Sequence, residues 1–303
     1  MTNFRTLREL RPAYDEMSNP ANLIYRGEAM SFRPNVSGPY YSTDVGGFRN
    51  TTFRGTALGV RDVVLQPRYG LVLGSSHIFG LGMPGNEFTI PSLLGERFNF
   101  PFANLSLPEA NSRNLFALLA AQLARAPRPP EIVILFNGGD FTSYAVTSIA
   151  DPIFGSPNLK QLPAIKEELG EFPPSGASID AVDAFTEMWT GAIFELCQSK
   201  GIPFAMGRDS TFFEKEGATP FERHCELGTP YKDFEIRWFA THRKFNAKSF
   251  QRREEFAKSL GVILAGPKPP TKLTFVDEFH YDRNGTRMVF EELAAAITPL
   301  LAS

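Results

Sequence analysis

Two short segments, far apart in the chain, carry residue types that together could cleave an ester. In LVLGSSHIFGLG, residues 71–82, an apolar run ends at Gly74 and is followed by Ser75, Ser76 and a histidine. A serine hydroxyl attacks a carbonyl only when a neighbouring base removes its proton. Taken alone, this segment is also typical of a serine-containing turn between a strand and a helix, which requires no chemistry.

A base is available near the C-terminus, in FVDEFHYDRNG. Asp277 and His280 stand three residues apart, and on a helical turn positions i and i+3 lie about 5–6 Å apart at Cβ. A carboxylate at that distance can accept a hydrogen bond from one ring nitrogen of the histidine, and the other nitrogen can act as a general base. The alternative is that both residues cap the last helix. Only the combination with a serine after a strand is selective for a catalytic triad.

Other titratable residues give weaker signals. His77 directly follows Ser76, but adjacent side chains usually diverge, so we interpret it first as a loop residue and second as a substrate contact. His224 and Cys225 are neighbours without a third ligand at suitable spacing, so the sequence does not indicate a zinc site. We predict neither a metal nor an organic cofactor.

The elements that must position these residues alternate from about residue 66 onward. Apolar runs of strand length occur in YGLVLG, FPFANLS, EIVILFNGG, IPFAMG and VILAG, and segments with helical periodicity, such as NSRNLFALLAAQLAR, lie between them. Short apolar strands separated by amphipathic helices imply a parallel sheet covered on both faces, which is a three-layer α/β/α domain. In such sheets ligands bind at the carboxyl ends of the strands, where Ser76 is expected.

Two regions depart from this alternation. Residues 1–65 are rich in Gly, Pro, Asn, Ser and Tyr and are predicted to form loops and short strands packed on the core. Residues 66–303 are predicted to form the α/β/α catalytic domain. Within it, residues 141–177 form a long Pro-rich connection, and connections of this length are usually functional or mobile. We interpret this connection as a lid or substrate-binding insertion, with a tolerated surface excursion as the alternative.

The composition narrows the class of partner. The formal net charge is −2, with 31 Lys and Arg against 33 Asp and Glu, which does not indicate a nucleic acid or an anionic membrane. No run approaches about 18 apolar residues, the N-terminus lacks the apolar stretch of a signal peptide, and the two cysteines are too few for a disulfide framework. We therefore predict a cytoplasmic protein with a small-molecule or sugar-like substrate. The sequence does not indicate the oligomeric state.

The serine after the first strand and the Asp-x-x-His before the final helix resemble the arrangement of the SGNH/GDSL hydrolase family. GSSHIFGLG is similar to the Gly-Gly-Ser-Thr-x-Phe-Gly-x-Gly form of the family's first block, and STDVGGFRN is similar to the Asn-Ser-x-Gly-Phe-Arg stretch that often precedes it. The resemblance runs from about residue 40 to the C-terminus. It implies a flavodoxin-like fold with five parallel strands, Ser76 rather than Ser75 as the nucleophile, and Asp277 and His280 as the other triad members.

The same resemblance implies an oxyanion hole, although two family blocks match only in part. The second block reads roughly Asn-x-Gly-x-x-Gly, and NLSLPE offers Asn104 with Ser106 at the glycine position, where a backbone N–H is the donor. The third block reads Gly-x-Asn-Asp, and FNGGD places Gly139 where asparagine is expected. Loss of one such donor typically costs roughly 2.7–4 kcal/mol of transition-state stabilisation. Asn137 could replace it if the strand end is shifted, or could only cap the turn.

These residues imply a serine-dependent ester hydrolase or acyltransferase that acts on an O-acyl ester through a covalent acyl-enzyme, with a carbohydrate-linked ester as the favoured substrate. His280 would remove the proton from Ser76, and Asp277 would hold the histidine in the required tautomer. The alternative is a binding or accessory protein that keeps the SGNH fold with little turnover. The missing asparagine favours this alternative, and the complete Ser-His-Asp set argues against it.

Overall fold

The protein is an alternation of short strands and helices preceded by two small hairpins. The computed structural model describes residues 12–17, 19–26, 29–108, 110–137, 176–210, 250–268, 272–276 and 280–302. The first part contains helix α1 (Pro12–Met17), strands β1 (Leu23–Arg26), β2 (Ala29–Phe32), β3 (Thr51–Phe53) and β4 (Thr56–Leu58), and helix α2 (Val60–Val64). The pairs β1–β2 and β3–β4 are both antiparallel.

The remaining elements build the central domain. The strands are β5 (Gly70–Gly74), β6 (Phe102–Ser106), β7 (Ile132–Phe136), β8 (Phe204–Gly207) and β9 (Ile263–Ala265). The helices are α3 (Ser76–Phe79), α4 (Ile90–Phe98), α5 (Ser112–Arg125), α6 (Gly176–Ser199), α7 (described over 250–259) and α8 (Arg283–Leu301). Short 3-10 turns occupy Pro20–Asn22 and Asn86–Phe88.

Five parallel strands form one sheet in the order β6-β5-β7-β8-β9. Counted along the domain, this order is 2-1-3-4-5, which is the flavodoxin-like topology. Each of the five strands of the sheet lies within one of the five apolar runs, so all five predicted strands are confirmed. Such runs are expected when both faces of a parallel sheet are covered.

Helices cover the two faces of this sheet and complete a three-layer α/β/α fold. In β5, Leu71 and Leu73 belong to one buried cluster and Val72 to the other, as alternation along a strand requires. The first cluster includes buried residues of α2, α5, α6 and α7, and the second includes residues of α3, α4 and α8. The predicted fold class is therefore confirmed.

Local signals explain where two helices begin. Asn111 caps α5, since its side chain accepts a hydrogen bond from the Asn114 N–H at 2.9 Å and the Asn114 side chain accepts one from the Asn111 N–H at 3.2 Å. Helix α4 was not predicted, because Pro91 and Gly95 within its nine residues are typical of turns. Pro91 lies in the first turn of α4, where proline is tolerated.

The N-terminal region contains the predicted short strands and also packs on the central domain. Met17, Phe32 and Tyr41 form a buried cluster with Phe79 of α3. The domain boundary at residue 65 stays a prediction. Residues 141–175 of the predicted insertion lie outside the described residues, and its last two, Gly176 and Ala177, begin α6. Within the described ranges, none of the helices combines the length and apolarity needed to span a bilayer.

Candidate active site

Ser76 and His280 meet at the carboxyl end of β5, although 204 positions separate them in the sequence. Ser76 Oγ lies 2.7 Å from His280 Nε2, which is within the range for a nucleophile and its general base. Ser76 is the first residue of α3, and His280 lies just before α8. Asp277 lies outside the described residues, so its place in a triad stays a prediction.

Helix capping does not account for His280, because another residue caps α8. The Asp282 side chain accepts a hydrogen bond from the Gly285 N–H at 2.8 Å and a further one from the Thr274 hydroxyl. An aspartate at this position satisfies a main-chain donor that the helix leaves unpaired. His280 is thus available for its contact with Ser76.

The segment that carries His280 is closed by main-chain hydrogen bonds. The Val276 N–H donates to the His280 carbonyl at 2.8 Å, and the Asp282 N–H donates to the Thr274 carbonyl at 3.0 Å. The Tyr281 hydroxyl accepts a hydrogen bond from the Ser210 N–H at 2.8 Å, which ties the segment to the end of β8. These contacts fix the main chain at His280 and at the two residues that follow it.

The turn that carries Ser76 is short and tightly packed. The Ser75 carbonyl accepts hydrogen bonds from the N–H groups of Ile78 and Phe79, at 3.1 and 3.0 Å. A Cβ on Gly74 would lie 2.5 Å from Cγ1 of Ile78, so glycine is required at this strand end. Gly80 ends the turn in the left-handed conformation, with φ of 82°.

His77 lies beside His280, the candidate general base, which the sequence did not indicate. Its ring centroid is 5.3 Å from that of His280 and 5.5 Å from that of Tyr281, and its Nδ1 lies 3.2 Å from Ser75 Oγ. His77 belongs to the single-turn helix α3 rather than to a loop, and its interpretation as a substrate contact stays a prediction. The side chains of Ser76 and His77 lie close to the same residue although they are neighbours in the chain. His280 comes from a distant segment and contacts both of them.

Asn104 and Ser106 lie on β6, which pairs with β5. The Asn104 Nδ2 donates to the Ile78 carbonyl at 3.0 Å, and its Oδ1 accepts a hydrogen bond from the Ser106 hydroxyl. Both side chains are buried, and Ser106 is the register partner of Gly74. Asn104 therefore supports the main chain of the turn that carries Ser76. The place of Asn104 in the oxyanion and substrate-binding block that the resemblance implies, and the oxyanion role of the Ser106 N–H, stay predictions.

Asn137 is directed towards the opposite helix layer. Phe136 belongs to the buried cluster that includes Ile78, so alternation turns the next residue to the other face of the sheet. There the Asn137 Nδ2 donates to the Thr190 hydroxyl of α6 at 3.0 Å, and both side chains are buried. This structure therefore gives Asn137 a packing partner, and its role as a third oxyanion donor stays a prediction. Gly139 lies outside the described residues.

No metal-binding group emerges among the residues that the structure describes. Sets of three or more His, Cys, Asp or Glu side chains close enough to hold an ion are absent from these ranges. Cys197 is buried within α6, and burial raises the pKa of its thiol to about 12. A neutral, enclosed thiol of this kind is unreactive.

No protein-family model matches the chain, and no curated protein matches its sequence. Several solved structures are similar in backbone. A carbohydrate acetylesterase family member from Sinorhizobium meliloti is 14% identical with a TM-score of 0.45, and the alignment covers 78% of this chain and 100% of that one. A member of the lipolytic protein G-D-S-L family from Veillonella parvula is 10% identical with a TM-score of 0.47, over 76% and 98% of the two chains.

A third similar structure is a carbohydrate esterase family 2 enzyme with a carbohydrate-binding domain from Corynascus thermopiles. It is 12% identical with a TM-score of 0.47, and the alignment covers 86% of this chain and 75% of that one.

Proposed function

We propose that the protein is a serine-dependent ester hydrolase or O-acyltransferase of the SGNH/GDSL class. The observation that carries the proposal is the 2.7 Å contact between Ser76 Oγ and His280 Nε2 at the carboxyl end of strand β5. Open parallel sheets bind ligands at this edge. The similarity of GSSHIFGLG to the family's first block supports the same nucleophile.

In the proposed reaction His280 Nε2 takes the proton of Ser76 as Oγ attacks the ester carbonyl carbon. The resulting tetrahedral intermediate collapses to an acyl-enzyme, and the imidazolium returns its proton to the departing alkoxide. Water or an acceptor hydroxyl then loses a proton to His280 and attacks the acyl carbon. Ser76 leaves with that proton, and the product is a carboxylic acid or a new ester. We assign to Asp277 the role of holding His280 in the required tautomer.

The oxyanion would be received by main-chain N–H groups of Ser76 and Ser106, with the Gly139 N–H or Asn137 as a third donor. Two neighbouring donors are already used within the turn, since the Ile78 and Phe79 N–H groups bond the Ser75 carbonyl. Main-chain donors can stabilise an oxyanion without a side-chain amide. The substitution of Gly139 for the expected asparagine therefore lowers the expected rate without removing the site.

The proposed substrate is an O-acyl ester, and a carbohydrate-linked ester is the favoured class. No cofactor is needed for this chemistry, because the serine, the histidine and water or an alcohol supply every transferred proton. A cytoplasmic location stays a prediction from the sequence.

A binding or accessory role is the second candidate. The observation in its favour is that Asn137, the one asparagine that could replace the missing donor, bonds Thr190 on the far side of the sheet. A protein of this kind would retain the fold and would not form an acyl-enzyme.

Covalent labelling separates the two candidates. The parent protein, Ser76→Ala and the matched control Ser75→Ala are treated with a serine-directed fluorophosphonate, and the intact mass is measured. We expect one adduct on the parent and on Ser75→Ala, and none on Ser76→Ala. An unlabelled folded parent, or an equal adduct on Ser76→Ala, would overturn the assignment of the nucleophile.

Hydrolase and transferase are then distinguished with a small aryl ester. A sugar acceptor that raises the rate of aryl release and is itself acylated identifies a transferase. A rate that no acceptor changes identifies a hydrolase.

A further inference from the structure

A buried arginine from the N-terminal region contacts the turn that carries Ser76. Arg49 is 1% exposed, and its guanidinium donates to uncharged acceptors, none of which is a carboxylate. The oxygen acceptors, at 2.5–3.4 Å, are the carbonyl groups of Phe79, Gly80, Met83 and Tyr40 and the Oδ1 of Asn86. The Met17 sulfur is a further acceptor at 3.8 Å. A planar guanidinium carries five N–H donors in a rigid fork, so one side chain can serve all of them.

The carbonyl groups of α3 show why such a donor is needed. A helix of a single turn leaves its last carbonyls without helical partners. The Ser76 and His77 carbonyls accept from main-chain N–H groups that follow the turn. The Ile78 carbonyl accepts from Asn104, and the Phe79 carbonyl accepts from Arg49. Two side chains thus supply the donors that the turn itself lacks.

The N-terminal region also holds the same end of α3 by packing. The rings of Phe32 and Phe79 are stacked, with centroids 4.1 Å apart and an interplanar angle of 8°. A Cβ on Gly80 would lie 3.1 Å from Arg49 Nη1, so the guanidinium lies close against the main chain there. Both the ring and the carbonyl of Phe79 are therefore held by residues that precede the central domain.

The charge of Arg49 makes this arrangement costly for a residue with no role. Burial lowers the pKa of Arg49 to about 9, and the nearby Glu87 carboxylate opposes that shift. A charge taken out of water without an ion-pair partner is retained only where its hydrogen bonds are well satisfied. In this protein those hydrogen bonds converge on the turn that follows the candidate nucleophile.

We propose that Arg49 is a positioning residue for the nucleophile. It fixes the C-terminal end of α3, and through the main chain of that turn it holds Ser76 Oγ at hydrogen-bond distance from His280. The inference rests on the proposed function for its chemical consequence. The structural part of the inference is that Arg49 orders the turn, and this can be tested without an enzyme assay.

The test compares Arg49→Met and the conservative Arg49→Lys with Tyr69→Phe as a matched control. Tyr69 is buried at the amino end of β5, opposite Ser76, and its hydroxyl donates to the Arg128 carbonyl at 2.6 Å. Its loss lowers stability without touching the turn. The first measurement is the rate constant of fluorophosphonate labelling at Ser76, corrected for the folded fraction from thermal unfolding.

We expect Arg49→Met to lower the labelling rate about 10-fold to 100-fold, because a displacement of about 1 Å can cost that much. Arg49→Lys should recover part of the rate, and Tyr69→Phe should label at the parent rate. With an aryl ester, kcat should fall while KM stays near the parent value. Parent-like labelling of folded Arg49→Met would overturn the proposal, and if that variant does not fold, parent-like labelling of Arg49→Lys would do the same.

The second measurement is amide hydrogen exchange of residues 78–83. We expect exchange in this segment to accelerate at least about 10-fold in the Arg49 variants and to remain unchanged in Tyr69→Phe. Unchanged exchange would refute the ordering role even if the protein is an esterase. Faster exchange together with an unlabelled parent would instead contradict the proposed function and retain the ordering role.

Discussion

Two regions hold the turn that carries Ser76, the candidate nucleophile, from opposite ends, and they do so by different means. The C-terminal segment, described over residues 272–276 and 280–282, reaches the start of the turn through a contact between two side chains, His280 and Ser76. The N-terminal region reaches the end of the turn in two ways. Arg49 donates hydrogen bonds to the main-chain carbonyls of Phe79 and Gly80, and the ring of Phe32 stacks on that of Phe79. The first contact brings the proposed proton acceptor to the turn, and the second fixes only the position of the main chain.

This difference shows that residues able to do chemistry can be recognised in a sequence more easily than residues that only position them. A serine and a histidine are informative because few residue types can act as nucleophile and base. A main-chain carbonyl is present at every residue, so the acceptors of Arg49 have no signature. The Gly-Phe-Arg motif that ends at Arg49 resembles part of a family pattern, but only the fold shows what the Arg49 guanidinium contacts.

The largest expected effect comes from breaking the contact of the C-terminal segment. His280→Gln should lower the labelling rate of Ser76 and any esterase rate by about 10²–10⁴-fold, because general-base catalysis contributes that much. The thermal midpoint should change little, which distinguishes this loss from unfolding. The measurement is fluorophosphonate labelling beside a calorimetric scan, and an unaltered labelling rate would remove His280 from the mechanism.

The next effect comes from removing the stacked ring of the N-terminal region. Phe32→Ala should lower the free energy of unfolding by about 3–5 kcal/mol, since a fully buried aromatic side chain leaves a cavity. Urea unfolding measures the loss, and the milder Phe32→Leu serves as the control. A change within about 0.5 kcal/mol, typical of surface substitutions, would show that the region does not pack as described.

Asn104 contacts the middle of the turn, at the Ile78 carbonyl, and is the third support of the turn. Asn104→Ala should destabilise the protein by about 1–3 kcal/mol, because the Ile78 carbonyl and the Ser106 hydroxyl both lose a buried partner. Ser106→Ala keeps the bond to Ile78 and should cost less. Equal losses in the two variants, measured by urea unfolding, would contradict the support that we assign to Asn104.

A smaller effect is expected at the helix that follows His280. Asp282→Ala removes the cap of α8 and should lower stability by about 0.5–2 kcal/mol, whereas Asp282→Asn keeps an oxygen acceptor and should lose less. Chemical unfolding of the two variants side by side provides the measurement. If asparagine and alanine cost the same, the cap is not the source of the stability.

The smallest effect concerns Cys197, which belongs to neither region. Because its pKa in the folded protein is raised to about 12 by burial, the unfolded thiol ionises first as the pH rises above about 8.5. The unfolded state then binds fewer protons, so stability falls with rising pH. Cys197→Ala should lack this part of the pH dependence, and unfolding at about pH 8 and pH 10 measures the difference. Parallel pH profiles for the two proteins would contradict the shifted pKa.

The fold could be predicted to the extent that its signals are local. The five strands are uninterrupted apolar runs because both faces of the sheet are covered, and the Asn111 cap marks the start of α5. Helix α4 could not be predicted, because Pro91 and Gly95 are turn signals that its tertiary packing overrides. In the candidate site, residue type identified Ser76 and His280, but not that His77 lies beside the base or that Asn137 faces α6.

By itself, the sequence determined the strands, the main helices and the residue types available for ester chemistry, because hydrophobic periodicity and side-chain reactivity are local properties. Only the tertiary structure decided which of those residues meet. The distance between Ser76 and His280, the face of the sheet that Asn137 occupies and the acceptors of Arg49 all depend on how distant segments pack. Every residue has a main-chain carbonyl, so which carbonyls lie near a given donor depends on the path of the backbone. That path is a property of the folded chain.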